Sequence, residues 1–183
     1  MTQRLTTLLS ASVFACTMAS QAFADDTHGK RYASVDIGFY GLESDNGNFE
    51  ADLTHISGRV GGYLNDNLAL EARLGTGVTD DTINEGIFTD TDISLRYLVG
   101  AYMRIGAKAG DQLFPYLLLG FTRADFETET GSNSSNDAET DTSYGAGIDF
   151  NLSGLTVALE YANLVDKNDS TYSGFSIGLK STF

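Results

Sequence analysis

Residues 144–161, YGAGIDFNLSGLTVALEY, decide the fold. From Tyr144 every second position is apolar: Tyr144, Ala146, Ile148, Phe150 and Leu152. Between them lie Gly145, Gly147, Asp149 and Asn151. After Ser153-Gly154 the alternation resumes, with Leu155, Val157, Leu159 and Tyr161 against Thr156, Ala158 and Glu160. Successive side chains of a strand point to opposite faces, so each segment reads as a strand with one apolar and one polar face. The Ser-Gly pair between them is a tight hairpin turn. Both acids, Asp149 and Glu160, fall on the polar face.

The same pattern extends outward in both directions. It predicts further strands at about 31–42, 54–64, 68–78, 92–105, 113–125 and 172–183, eight in all with the pair above. Nine charged residues lie in the central parts of these spans: Asp36, Arg59, Glu71, Arg73, Arg96, Arg104, Asp149, Glu160 and Lys180. All nine take the polar parity. A soluble barrel would put the large apolar residues inside and crowd these charges on its surface. The parity instead places the apolar face outward and the charges within. Phe39, Tyr97, Phe121, Tyr144, Phe150, Tyr161, Phe175 and Phe183 share the apolar parity and suit interfacial girdles.

The connections alternate in length. Those at about 43–53, 79–91 and 126–141 are long, and 165–171 is intermediate. Asn65-Asp66-Asn67, 106–112 and Ser153-Gly154 are short. Long links at one end and tight turns at the other describe an all-β, eight-stranded antiparallel up-and-down transmembrane β-barrel. The long and intermediate links, with Asp92 and Asp125 at their edges, carry seventeen of the 25 acids, among them Glu43, Asp52, Asp80, Asp81, Glu127, Glu129, Asp137, Glu139 and Asp141, with only Arg123 and Lys167 nearby. The excess negative charge is therefore expected at one end.

Composition agrees with this and excludes other classes. The chain has 183 residues, Lys+Arg 11 against Asp+Glu 25, a net charge of −14, one Cys and 20 Gly. One Cys supports neither a disulfide framework nor a four-ligand zinc site. The acidic balance makes nucleic acid a poor partner. Residues 1–24 read as a secretory signal peptide, with Arg4 before an apolar run and an A-x-A site at Ala22-Phe23-Ala24. The mature domain is then 25–183. Cys16 lies in the removed segment, where bulky Phe14 fits a lipoprotein cleavage site poorly.

Three phrases resemble the small eight-stranded outer-membrane barrels of the OmpA/OmpX-like group of Gram-negative bacteria. They are GGYLNDNLALE at 61–71, YLVGAY at 97–102, and FSIGLKSTF at 175–183. The last is similar to the terminal assembly signal that the barrel insertion machinery reads, with Phe183 as its key residue. The resemblance implies an outer-membrane site with the long loops extracellular. It implies lipids, lipopolysaccharide and the assembly machinery as partners, and a monomer. It does not choose among adhesins, narrow channels and lipid-modifying enzymes.

The candidate site is the lumen charge set of Asp36, Arg59, Glu71, Arg73, Arg96, Arg104, Asp149, Glu160 and Lys180. An eight-stranded barrel is only wide enough to be filled by side chains, and buried charges must pair. The set is expected to be a structural plug or, alternatively, the gate of a narrow channel for ions or small solutes. Of the two histidines, His28 lies in the N-terminal tail. His55-Ile56-Ser57 has the H-x-S spacing of outer-membrane lipid A deacylases, but its parity points it to the lumen, away from lipid. No catalytic residue, cofactor or metal site is therefore assigned. The acidic links could attract Ca²⁺ but have no EF-hand spacing. The expected function is non-enzymatic, structural or surface-interacting, with an external partner that the loops do not specify.

Overall fold

The computed structural model describes residues 29–44, 50–84, 90–130, 133–152, 155–167 and 170–183. The expected signal segment, His28, the Ser153-Gly154 turn and the loop acids Asp45, Glu85 and Asp169 lie outside them. The strands are β1 (Arg31–Ser44), β2 (Glu50–Tyr63), β3 (Leu68–Gly77), β4 (Asp80–Asn84), β5 (Asp90–Gly106), β6 (Leu113–Thr130), β7 (Asn133–Leu152), β8 (Leu155–Lys167) and β9 (Ser170–Thr182). Each pairs antiparallel with its neighbours. β1 meets β9, and β3 and β4 both pair with β5, so the sheet closes. β3 and β4 are two pieces of one stave, giving an eight-stranded barrel.

The alternation sets the two surfaces. Val35, Ile37 and Phe39 on β1, Leu117, Leu119 and Phe121 on β6, and Phe175, Ile177 and Leu179 on β9 face outward. The register aligns Phe39 with Phe175 and Phe175 with Tyr161, and the Tyr161 and Phe175 rings lie 4.8 Å apart. With Tyr144 and Phe121 they form an aromatic girdle at the end opposite the termini. From Phe175 to exposed Phe183 the strand rises about 26 Å at roughly 3.3 Å per residue, which suits a tilted span of the hydrocarbon band.

At the turn end, Asn65 Oδ1 accepts from the backbone N–H groups of Asn67 and Leu68, each at 2.9 Å, and closes the β2–β3 hairpin. Gly110, with φ of 78°, supplies the left-handed residue of the β5–β6 turn.

The other end differs from the expectation. The links at 43–53 and 126–141 are mostly strand. β6 and β7 stay paired to Thr130↔Asn133, and β5 follows β6 to Thr91↔Thr130. Beyond Phe121, β6 runs on for about 30 Å along its length. Outside the lipid there is no apolar outer face to maintain, so these strands lack the two-sided pattern by which the embedded ones are recognised.

Candidate functional site

Eight of the nine lumen charges come together inside the barrel, all buried. They form one alternating chain. Asp36 Oδ2 lies 2.7 Å from Arg59 Nε, and Arg59 Nη1 donates to Glu160 at 3.1 Å. Glu160 takes two bonds from Arg73, at 2.5 and 2.9 Å. Arg73 Nε donates to Glu71 at 2.6 Å, and Glu71 lies 3.5 Å from Arg104. Arg104 reaches Asp149 at 2.8 Å, and Lys180 closes the series on Asp149. Four acids and four bases leave no net charge. Each of the six inner members touches two opposite charges, the arrangement that buried ions need to offset their desolvation.

Seven staves supply these charges. β6 supplies Tyr116, whose hydroxyl donates to Glu160 at 2.9 Å, and whose ring lies 3.7 Å below the Arg104 guanidinium. Tyr32 donates to Glu71 at 2.7 Å. Inward glycines make the room. A Cβ on Gly178 would overlap the Asp36 carboxylate, one on Gly147 the Tyr116 hydroxyl, and one on Gly61 the Tyr32 ring.

Arg96 is the exception, and its assignment to the lumen is corrected. The β5–β6 register shifts between Leu95 and Tyr97. A bulge places two successive residues against one partner and inverts the parity beyond it. Below the bulge Leu98, Tyr102 and Arg104 are buried, as the alternation predicts. Above it Ile93 and Leu95 turn inward and Arg96 turns out, 43% exposed and bonded to Asp125 at 3.1 Å. Arg96 thus joins the acidic end.

The inverted residues belong to a second layer that the sequence reading missed. Tyr40, Leu42, Leu53, Ile93, Leu95, Leu98, Leu118, Phe126, Leu164 and Tyr172 pack into one buried apolar cluster on the girdle side of the ion chain. Leu118, which stands on the polar parity of β6, was its visible trace. Three hydroxyls within it satisfy one another: Tyr102 lies 2.5 Å from Thr122, Thr122 lies 2.6 Å from Ser143, and Ser143 donates to the Leu164 carbonyl at 2.8 Å. His55 and Ser57 are both buried, as their parity predicts. His55 packs on Tyr40 at 4.9 Å, with its Nδ1 3.0 Å from the Tyr172 hydroxyl. That position is shut off from lipid and from a lipid substrate.

At the turn end a cavity of about 440 Å³ opens, lined among others by Lys30, Tyr63, Lys108, Phe114, Asp149 and Lys180. The last two are the end of the ion chain. Among the described residues no group of three or more His, Cys, Asp or Glu is placed to hold a metal ion.

Comparison with known proteins places this geometry. No curated protein matches the sequence. Among solved structures it is similar to Ail, the attachment invasion locus protein of Yersinia pestis, at 17% identity and a TM-score of 0.65, over 86% of this chain and 100% of that one. It is similar to Neisserial surface protein A at 16% identity and a TM-score of 0.63, over 85% and 100%. It is also similar to the N-terminal β-barrel domain of Pseudomonas aeruginosa OprF, at 16% and 0.50, over 82% and 97%. At these identities the likeness is one of fold. Residues 7–183 match the family described as outer membrane protein beta-barrel domain. With its closed sheet, apolar outer band and family match over nearly the whole length, the chain belongs to that family and is a β-barrel of the bacterial outer membrane.

Proposed function

We propose that this barrel is a non-enzymatic surface-interaction protein, a sealed monomeric cylinder in lipid and lipopolysaccharide that carries an acidic β-sheet outside the cell. The observation that supports it most is the β6–β7 ladder, continuous beyond the aromatic girdle, with β5 paired alongside it across one bulge. A paired ribbon holds its side chains in fixed positions, as a recognition surface requires. Glu127, Glu129, Asp137, Glu139 and Asp141 give it a negative field. The lumen is filled in series by a neutral ion chain and an apolar layer, which disfavours the channel reading. Ail has been solved in complex with the heparin analogue sucrose octasulfate. The acidic rim here is the wrong sign for a polysulfated sugar and favours a cationic partner.

Two measurements test this. On intact cells a membrane-impermeant maleimide is expected to label Asn136→Cys and to leave Asn65→Cys untouched. The reverse pattern refutes the orientation. In a planar bilayer the refolded barrel is expected to be silent, and discrete openings would restore the gated-channel reading.

A further inference from the structure

We propose that the cavity at the turn end binds a free α-amino acid with an apolar side chain, whose ammonium and carboxylate pair with Asp149 and Lys180. The site lies at the opposite end of the barrel from the acidic sheet and is independent of the surface-interaction reading.

The ion chain is unfinished at this end. Each inner member meets two opposite charges, but Lys180, the last member, meets only Asp149 among the described residues. A lysine ammonium has three N–H donors. One goes to Asp149 Oδ2 and one to the Tyr63 hydroxyl at 3.4 Å. Among the described residues no acceptor takes the third. Asp149 is unfinished in the complementary sense. Its Oδ2 accepts from Arg104 at 2.8 Å and from Lys180, while its buried Oδ1 has no hydrogen-bond partner among the described residues. A buried carboxylate oxygen without a donor is costly, and native structures rarely leave one so. Of the buried side-chain atoms in that condition, Asp149 Oδ1 alone belongs to a residue that lines the cavity.

The walls are of another kind. The Tyr63 and Phe114 rings pack edge to face at 6.1 Å, and Leu64 and Leu113 also line the opening. Gly106 makes room for this wall, because a Cβ there would overlap the Phe114 ring. The cavity volume of about 440 Å³ falls within the roughly 300–1,000 Å³ of small-molecule sites, which typically join apolar walls to a few placed polar groups.

These features select the occupant. The unused donor of Lys180 and the unused acceptor of Asp149 sit on directly bonded neighbours of opposite charge. An α-amino acid carries its ammonium and carboxylate on one carbon and presents the reverse pair. Its ammonium donates to Asp149 Oδ1, and its carboxylate accepts from Lys180 and continues the alternation of charge that runs through the barrel. The zwitterion adds no net charge to a neutral chain. A lone anion on Lys180 would leave Asp149 Oδ1 without a donor, and a lone ammonium on Asp149 would leave Lys180 with one counter-charge. The ligand side chain then packs on Tyr63 and Phe114.

The test titrates the isotope-labelled whole barrel in phosphatidylcholine nanodiscs and follows the amide resonances of Phe114, Asp149 and Lys180. Three probes share one side chain: phenylalanine, phenylalaninamide, which lacks the carboxylate, and N-acetylphenylalanine, which lacks the ammonium. The last two also stand for the first and last residues of a peptide. Phenylalanine is expected to give saturable shifts, and each of the other two to bind about tenfold or more weakly, the loss expected for one charged hydrogen bond. Asp149→Asn is expected to weaken phenylalanine about tenfold and to leave N-acetylphenylalanine unchanged. Where that variant does not fold, the three probes decide on the unaltered barrel. N-acetylphenylalanine binding as tightly as phenylalanine would reduce the site to an anion site on Lys180. Equal binding of phenylalaninamide would reduce it to a cation site, and equal binding of all three to apolar adsorption. Each of these overturns the proposal. So does the absence of saturable shifts, which leaves Asp149 Oδ1 to water.

Discussion

Glu160→Gln tests whether the lumen is dry. Glu160 accepts from Arg59 at 3.1 Å, from Arg73 at 2.5 and 2.9 Å, and from Tyr116 at 2.9 Å, and its side chain has no solvent exposure. The substitution keeps the shape and removes the charge. Arg59 and Arg73, opposite each other in the β2–β3 register, then share a buried site with one fewer anion. Removing one partner of a buried ion pair costs about 3–5 kcal/mol, whereas an exposed pair is worth about 0–1 kcal/mol. With a urea slope of about 2 kcal/mol/M, a loss of about 4 kcal/mol lowers the unfolding midpoint by about 2 M. The assay is urea unfolding of the refolded barrel, followed by heat-shifted gel mobility and tyrosine fluorescence. Adding Arg73→Met removes the surplus cation and is expected to recover about 1 kcal/mol or more. A loss below about 1 kcal/mol for Glu160→Gln, with no recovery in the double variant, would mean a wet lumen and would sink the argument for a sealed plug.

Other substitutions separate the layers. Arg96→Ala removes an exposed pair and is expected to cost less than about 1 kcal/mol in the same titration. Leu118→Ala, at a fully buried position of the apolar layer, is expected to cost about 2–5 kcal/mol while the barrel remains silent in a bilayer, because the ion chain still closes it. Gly178→Ala places a methyl on the Asp36 carboxylate and is expected to lower stability by about 1–3 kcal/mol, seen as heat-shifted mobility lost at lower temperature.

Much of the barrel was legible because its signal is local. The segment around Asp149 and Glu160 alternates without a break, and a span facing lipid on one side and a narrow lumen on the other admits no other pattern. The same parity put Asp36, Arg59, Glu71, Arg73, Arg104 and Lys180 inside. Arg96 escaped because the sequence goes on alternating through Leu95 and Arg96 while the bulge inverts what the alternation means. The strand extensions at 126–141 escaped for the reverse reason: with water on the outer face, no apolar parity is required there.

Alternation and charge parity therefore determined a closed membrane barrel and the membership of its buried ion chain. Period-two patterning says which residues share a face and nothing about which of them meet. The pairing order of the ions, the division of the lumen into a charged and an apolar layer and the outward turn of Arg96 were decided by strand register and bulges. Those depend on contacts between residues far apart in sequence, such as Arg59 and Glu160, and exist only once the sheet has closed.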